Sequence, residues 1–456
     1  MKHFFHRFRR LHFVGILGTG MCGIAEVLLR HGLRVTGSDL QENDSAIRLR
    51  KIGAEIAIGH SAKNIGDAQV VIYSSACPPD NVELVEARRL NIPVIPRAEM
   101  LGELMRLQLG IAVAGVHGKS TTSAMLGAAL KTAGMDPTII VGGRLQSTSG
   151  NAEPGDSEWM VAEADEFDRS FLHLMPVHAI ITNLEHEHTD TYPTYSEMED
   201  AFVQFANRVP FYGSLAICGD DAGVMAIRPR LKRTVITYGV GPENNIRAID
   251  IKMAAGITTA TVVDGSTVVG ELKIQVPGIH NLRNALAVIT LCRQIEIQFS
   301  AIVPALESFT GVARRFDRVG EWNGVTVVDD YAHHPTEVAA TLAAARASHR
   351  GRIVAVFQPH LFSRTAVFAE RFGMALTVAD VVFVTDVYPS REKPVSGVTG
   401  KLVSDVLRRS GHSAVIDLEK TDWLNRVRAE LKPGDMLITM GAGDVTKLAK
   451  QMVSEL

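Results

Sequence analysis

The stretch Gly115-Val116-His117-Gly118-Lys119-Ser120-Thr121 constrains this chain more than any other. It follows the apolar run 111–114 and opens a helical pattern that starts at Ser120. A glycine turn between a strand and a helix points backbone N–H groups at a common spot, which suits phosphate oxygens. Lys119 is placed to reach β/γ-phosphate oxygens, and the Ser120 hydroxyl to hold Mg²⁺. The usual spacing has a glycine where this chain has Val113, so the loop is a shortened one. The expectation is an ATP site on a parallel α/β sheet.

A second glycine turn, Gly18-Thr19-Gly20-Met21-Cys22-Gly23, follows the apolar run 12–17. It predicts another strand–turn–helix unit, with Asp39 after the next strand where a ribose-binding acid sits. A dinucleotide and a nucleotide sugar both satisfy that pattern, and the pattern does not choose between them. Short apolar runs then alternate with helical patterns along the whole chain, which predicts parallel sheet with crossover helices. The blocks break near 107 and 313, giving expected domains 1–107, 108–313 and 314–456. A β-rich insert is expected over 235–276. The basic start, residues 1–10, and the apolar run after it imitate a signal peptide. That run is too short to span a bilayer and is broken by Gly15, Gly18, Gly20 and Gly23. The reading is a cytoplasmic protein.

Charge narrows the function classes. With 47 basic and 50 acidic residues the net charge is −3, without the basic excess of a nucleic-acid binder. No stretch is long and apolar enough to suggest membrane insertion. Four cysteines, at 22, 77, 218 and 292, have neither metal-ligand nor redox spacing and read as reduced buried thiols. The sequence leaves monomer and homodimer open.

Polar residues gather at predicted strand ends. Glu163-Ala164-Asp165-Glu166 ends one strand, where a metal-holding acid belongs beside a phosphate loop. Asn183-Leu184-Glu185-His186-Glu187-His188 ends the next; its histidines lack zinc-protease spacing, and His188 is the candidate ligand. Asn281 and Asn284 share the first turn of a helix and suit either an adenine edge or capping. In the third block, Arg314-Arg315, residues 329–335, 358–364, 386–389 and 441–444 each stand at the end of a predicted element. Arg, His, Asp and Tyr on one edge of one open sheet mark a ligand crevice. No nucleophile elbow is present.

Together, residues 115–121, 163–166, 183–188, 278–284, 314–317 and 329–335 resemble the Mur ligases, over about residues 13–445. The resemblance implies three domains: a Rossmann-like UDP-sugar domain, a central P-loop ATPase domain and a C-terminal Rossmann-like domain. It implies ATP-dependent joining of L-alanine to the lactyl carboxylate of UDP-N-acetylmuramate through an acyl phosphate, with Mg²⁺. Residue by residue, it assigns Gly18, Thr19, Gly20, Met21, Gly23, Asp39, His60, Ser74, Arg97 and Arg364 to the UDP-sugar. Gly115 to Thr121, Asn281, Asn284, Arg315 and Asp330 fall to ATP. Ser120, Glu163 and His188 fall to metal, and Lys119, Glu163, His188, Arg315 and His333 to catalysis. Ser120 replaces the family's usual Thr, Glu187 its usual Asp, and Leu361 an Arg that many members carry. A carbamylated lysine, as later-acting Mur ligases use, has no candidate here, since no lysine occurs from Thr189 through Leu231. Two other readings stay open: a sister ligase that attaches a preformed tripeptide, and a nucleotide-dependent switch without ligase chemistry.

Overall fold

The computed structural model describes residues 8–143, 150–254, 256–390 and 392–454. Residues 1–7 of the basic leader lie outside the described residues. The chain forms two compact units. The first runs to Ile249 and takes in Thr261–Gly270 and Arg283–Leu306; the second holds Asp250–Ala260, Glu271–Leu282 and Glu307–Leu456. No helix among the described residues is long and apolar enough to cross a membrane. Cys22, Cys218 and Cys292 are buried thiols.

The first unit opens with a five-stranded parallel sheet. Its spatial order is Glu55–Ile58, Arg34–Asp39, Arg10–Val14, Val70–Tyr73, Val94–Pro96. Winding goes outward on one side of Arg10–Val14 and then crosses to the other. The switch point therefore lies beyond Val14, where an open α/β sheet carries its ligand crevice. The strand stops at Val14 rather than at 17. Gly15 has φ +81°, and the N–H groups of Gly15 and Ile16 both turn to Ser38 O. Only glycine adopts that conformation without strain.

A ten-stranded sheet follows, and its parallel centre positions the phosphate loop. Leu109–Ala114 lies between His178–Ile181 and Trp159–Glu163. Val113 is in register with Glu163, and Ala114 with Ile181. Three strand ends thus deliver the loop, Glu163 and Thr182 to one edge. These strands are buried on both faces, so their sequences are near-continuous aliphatic runs. The expected β-rich insert is the run of strands Thr234–Gly239, Ile246–Ala254, Ile257–Asp264 and Thr267–Ile274.

The second unit is built on a six-stranded sheet ordered Asp317–Trp322, Val325–Asp330, Met436–Met440, Ile353–Phe357, Val381–Thr385, Val415–Leu418. All neighbours are parallel except the first pair. That hairpin was not expected, although Asn323-Gly324 signals it. Both residues have positive φ, 47° and 76°, as a two-residue hairpin turn with the right twist requires.

Candidate active site

The phosphate loop is shaped by its glycines and clamped from the neighbouring strand end. Gly115 has φ +131°, and a Cβ there would sit 2.0 Å from Thr182 Oγ1. Gly118, the N-cap of helix Lys119–Thr132, is left-handed at φ +82°. Its missing Cβ leaves room for Asn284 Oδ1, which would otherwise lie 2.9 Å away. Thr182 Oγ1 donates to His117 O at 2.6 Å. Asn183 accepts from His117 N–H at 2.8 Å and donates to His117 O at 2.9 Å. His117 Nε2 meets Glu185 Oε1 at 2.5 Å. The loop conformation is therefore fixed from the neighbouring strand end.

Lys119 and Ser120 each face a buried acid. Ser120 Oγ lies 3.1 and 3.0 Å from the two Glu163 oxygens, and Gly142 N–H donates to Glu163 Oε2 at 2.5 Å. Lys119 Nζ donates to Glu166 at 2.9 and 2.7 Å and to Gly115 O at 2.7 Å. His188, left-handed at φ +52°, points Nε2 at Glu166 Oε1 at 3.3 Å. Ligand atoms of Asp165, Glu166 and His188 lie within 4.8 Å of one another. Burial would raise the Glu166 carboxyl, but Lys119 and His188 outweigh it and hold it below the usual range. Burial pushes Glu163 up, against the pull of Lys119. For Lys119, burial acts downward and the acids Glu166, Asp165 and Glu163 prevail, so its ammonium is retained.

The sequence grouped Ser120, Glu163 and His188 as one metal set. The structure brings Ser120 and Glu163 together and sets His188 against Glu166 and Asp165. Glu166 was quoted in its motif but given no role. Its signal is the turn Phe167–His173, where Asp168 and Arg169 are both left-handed and fold the chain back over the strand end. His186 is structural: its Nε2 bonds Tyr192 O at 2.9 Å. The donor set suits Mg²⁺, which takes hydroxyl and carboxylate oxygens. A dication would also relieve the cost of keeping Glu163 ionised and buried.

Asp39, His60, Ser74 and Arg97 stand at four strand ends of the first sheet. Asp39 Oδ2 accepts from Leu17 N–H at 2.8 Å, tying the acid to the glycine turn. A Cβ on Gly20 would lie 2.9 Å from Arg97, so the guanidinium rests on the turn. Ser74 backs Gly15, whose added Cβ would meet it at 3.3 Å. Gly18 and Thr19 are exposed at the helix start. The Met21 side chain is 1% exposed in the core, and Gly23 lets its helix approach Ala152.

In the second unit, polar groups collect on one edge of the six-stranded sheet. Arg314 and Arg315 stack on the Tyr331 ring, at 4.8 and 5.3 Å. Arg315 also pairs with Glu337 at 3.2 Å. His333 lies 5.2 Å from Tyr331 and 6.0 Å from His360, ring to ring. His360 stacks on Tyr388 at 5.8 Å and meets Arg364 at 3.4 Å. Asp330 accepts one bond on each oxygen, from the N–H groups of Phe316 and Ala332. It holds the turn together, and burial pushes its carboxyl up to about 6. Asn281 donates to Pro277 O at 2.7 Å, a capping contact at its helix start.

Comparison with known proteins gives one consistent family. Residues 10–109 match the Mur ligase family, catalytic domain. Residues 113–292 match the Mur ligase middle domain, and 314–443 the Mur ligase, glutamate ligase domain. A UDP-N-acetylmuramate–L-alanine ligase of Geobacter sp. (strain M21) is 46% identical, over 99% of this chain and 98% of the relative. That of Nitratidesulfovibrio vulgaris (strain DP4) is also 46% identical, over 98% and 99%. Among solved structures, the UDP-N-acetylmuramate–alanine ligase of Thermotoga maritima superposes with a TM-score of 0.82 at 31% identity, covering 97% of this chain and 98% of that one. A murein peptide ligase from Psychrobacter arcticus shares the fold, with a TM-score of 0.70 at 22% identity over 98% of both chains.

Proposed function

The chain belongs to the Mur ligase family, and from that premise we propose that it joins L-alanine to UDP-N-acetylmuramate at the expense of ATP, in the cytoplasm. One observation carries the chemistry: a clamped phosphate loop whose Lys119 and Ser120 each meet a buried acid at a neighbouring strand end. The lactyl carboxylate attacks the γ-phosphoryl group, ADP leaves, and an acyl phosphate forms. The alanine amine then attacks the acyl carbon, and the tetrahedral intermediate expels phosphate. No protein nucleophile is needed, because phosphoryl transfer asks for positioning and charge neutralisation.

Lys119 exchanges Glu166 for the β/γ oxygens in this reading, and the loop N–H groups orient the phosphates. Ser120 and Glu163 would hold Mg²⁺, with His188 and its acid partners beside them; bound there, Mg²⁺ supplies positive charge to the phosphate oxygens. The edge of the first sheet takes the UDP-sugar. Arg315, His333 and Arg364 serve the acyl phosphate and amine. Names of the relatives favour L-alanine over the tripeptide.

The test offers the purified protein ATP, Mg²⁺ and UDP-N-acetylmuramate with either L-alanine or the tripeptide, and identifies products by mass. Carboxylate oxygen labelled in the sugar nucleotide should appear in the released phosphate. A tripeptide product alone, or ATP turnover without an amide, overturns the reading.

A further inference from the structure

The first sheet hides a charged group that the reaction does not use. Glu83 sits in the first turn of helix Val82–Arg89, is 0% exposed and has no lysine or arginine partner among the described residues. Its carboxylate gathers four donors from three other elements. Oε1 takes Ser61 N–H at 3.1 Å and Asn64 Nδ2 at 2.6 Å. Oε2 takes Ser38 Oγ at 2.6 Å and His12 Nε2 at 3.2 Å. His12, also buried, turns Nδ1 to Thr36 Oγ1 at 2.8 Å. Burial works against the charge, but the bonds from His12, Ser38, Ser61 and Asn64 prevail and hold the Glu83 carboxyl down at about 2. It is therefore an acceptor only.

That fixes a proton further out. Ser38 Oγ also lies 3.0 Å from His60 Nδ1. The Ser38 hydroxyl has one proton, and the 2.6 Å contact to an ionised carboxylate requires it. Ser38 Oγ can then only accept from His60, so Nδ1 carries the hydrogen. The other nitrogen, Nε2, has no hydrogen-bond partner among the described residues, and the side chain is 17% exposed at the crevice edge. In the neutral ring Nε2 presents a lone pair.

We propose that Glu83 is a positioning residue that, through Ser38, fixes His60 as its Nδ1–H tautomer, so that Nε2 accepts a hydroxyl or imide N–H proton from the nucleotide of the sugar substrate. The proposal rests on the functional reading for the identity of that nucleotide. The tautomer follows from the hydrogen bonds alone.

Ser38→Ala removes the hydroxyl relay and leaves Glu83 its other three donors; His60 Nδ1 then faces Glu83 Oε2 directly at 3.6 Å, too far for a hydrogen bond. Histidine nitrogen-15 NMR, at a pH where the ring is neutral, should find His60 protonated at Nδ1 in the parent and shifted toward Nε2–H in the variant. The KM for UDP-N-acetylmuramate should rise about tenfold, the equivalent of one hydrogen bond. KM for ATP and L-alanine, and kcat, should stay within about twofold. Glu83→Gln, which places an amide donor against donors, should show the same tautomer shift if it folds. A parent His60 protonated at Nε2, or an unchanged sugar-nucleotide KM in a variant whose tautomer has moved, overturns the proposal. Absence of ligation by the parent would instead sink the functional reading, and the NMR result would still decide the tautomer.

Discussion

Replacing Gly115 by alanine tests the clamp on the phosphate loop with a single methyl group. At φ +131° a side chain is strained at a cost of about 1–3 kcal/mol. The new Cβ would also meet Thr182 Oγ1 at 2.0 Å, so one of the two must retreat by about 1 Å or more to reach a tolerable contact. Thr182 cannot retreat without loosening the bond its hydroxyl donates to His117 O at 2.6 Å, worth about 0.5–1.5 kcal/mol. The sum is about 1.5–4.5 kcal/mol against the loop conformation that receives phosphate. ATP affinity, measured by calorimetric titration, should therefore fall about a hundredfold. The double variant Gly115→Ala/Thr182→Ala removes the overlapping oxygen and should lose less than the two single effects combined. Unchanged affinity in Gly115→Ala, or strict additivity in the double variant, would refute the clamp.

Lys119→Ala should reduce ligation by a thousandfold or so and also destabilise the protein, because it strands the buried Glu166 carboxylate. Adding Glu166→Gln should restore the denaturation midpoint but not turnover; recovery of both would contradict the role of Lys119. Glu163→Gln and His188→Ala should raise the Mg²⁺ requirement far more than the L-alanine requirement in steady-state titrations, while His186→Ala stays milder; parallel shifts in both requirements would count against metal binding. Glu83 links stability to pH. Its carboxyl falls from the usual 4.5 to about 2 on folding, so its contribution is complete above about 4.5 and lost as pH drops toward 2. That is about 3 kcal/mol, and Glu83→Gln should show a correspondingly flatter acid limb in pH-dependent denaturation; superimposable limbs would exclude it.

The sequence made legible those features in which one local signal decides the geometry. Glycine turns after aliphatic runs placed both ligand edges, and the fully buried strands Ile353–Phe357 and Val381–Thr385 end where the polar stretches 358–364 and 386–389 begin. The family resemblance grouped Ser120, Glu163 and His188, and the register of Val113 with Glu163 explains why the first two meet. What stayed hidden depends on tertiary packing. Glu83 lies in Val-Glu-Leu-Val-Glu-Ala-Arg-Arg, which reads as an exposed helix, and only the convergence of four elements buries it. Glu166 follows a strand end by three residues, and the left-handed pair Asp168-Arg169 turns it onto Lys119. The two backbone N–H groups that Asp330 holds, those of Phe316 and Ala332, are likewise set by the turn and not by any local pattern. Short edge strands such as Glu55–Ile58 and Val415–Leu418 carry too few apolar residues to announce themselves.

The segment between Thr182 and His188 touches the loop at its first residues, through Glu185 to the His117 ring, and by way of Glu166 at Lys119. In the proposed reading, one short stretch of backbone therefore faces two ligands at once. Thermodynamic linkage makes that arrangement reciprocal: whatever factor a cation at the acid cluster adds to nucleotide affinity, nucleotide adds to cation affinity. The stretch is correspondingly intolerant of a change in length, since one inserted residue would put its three contacts out of phase.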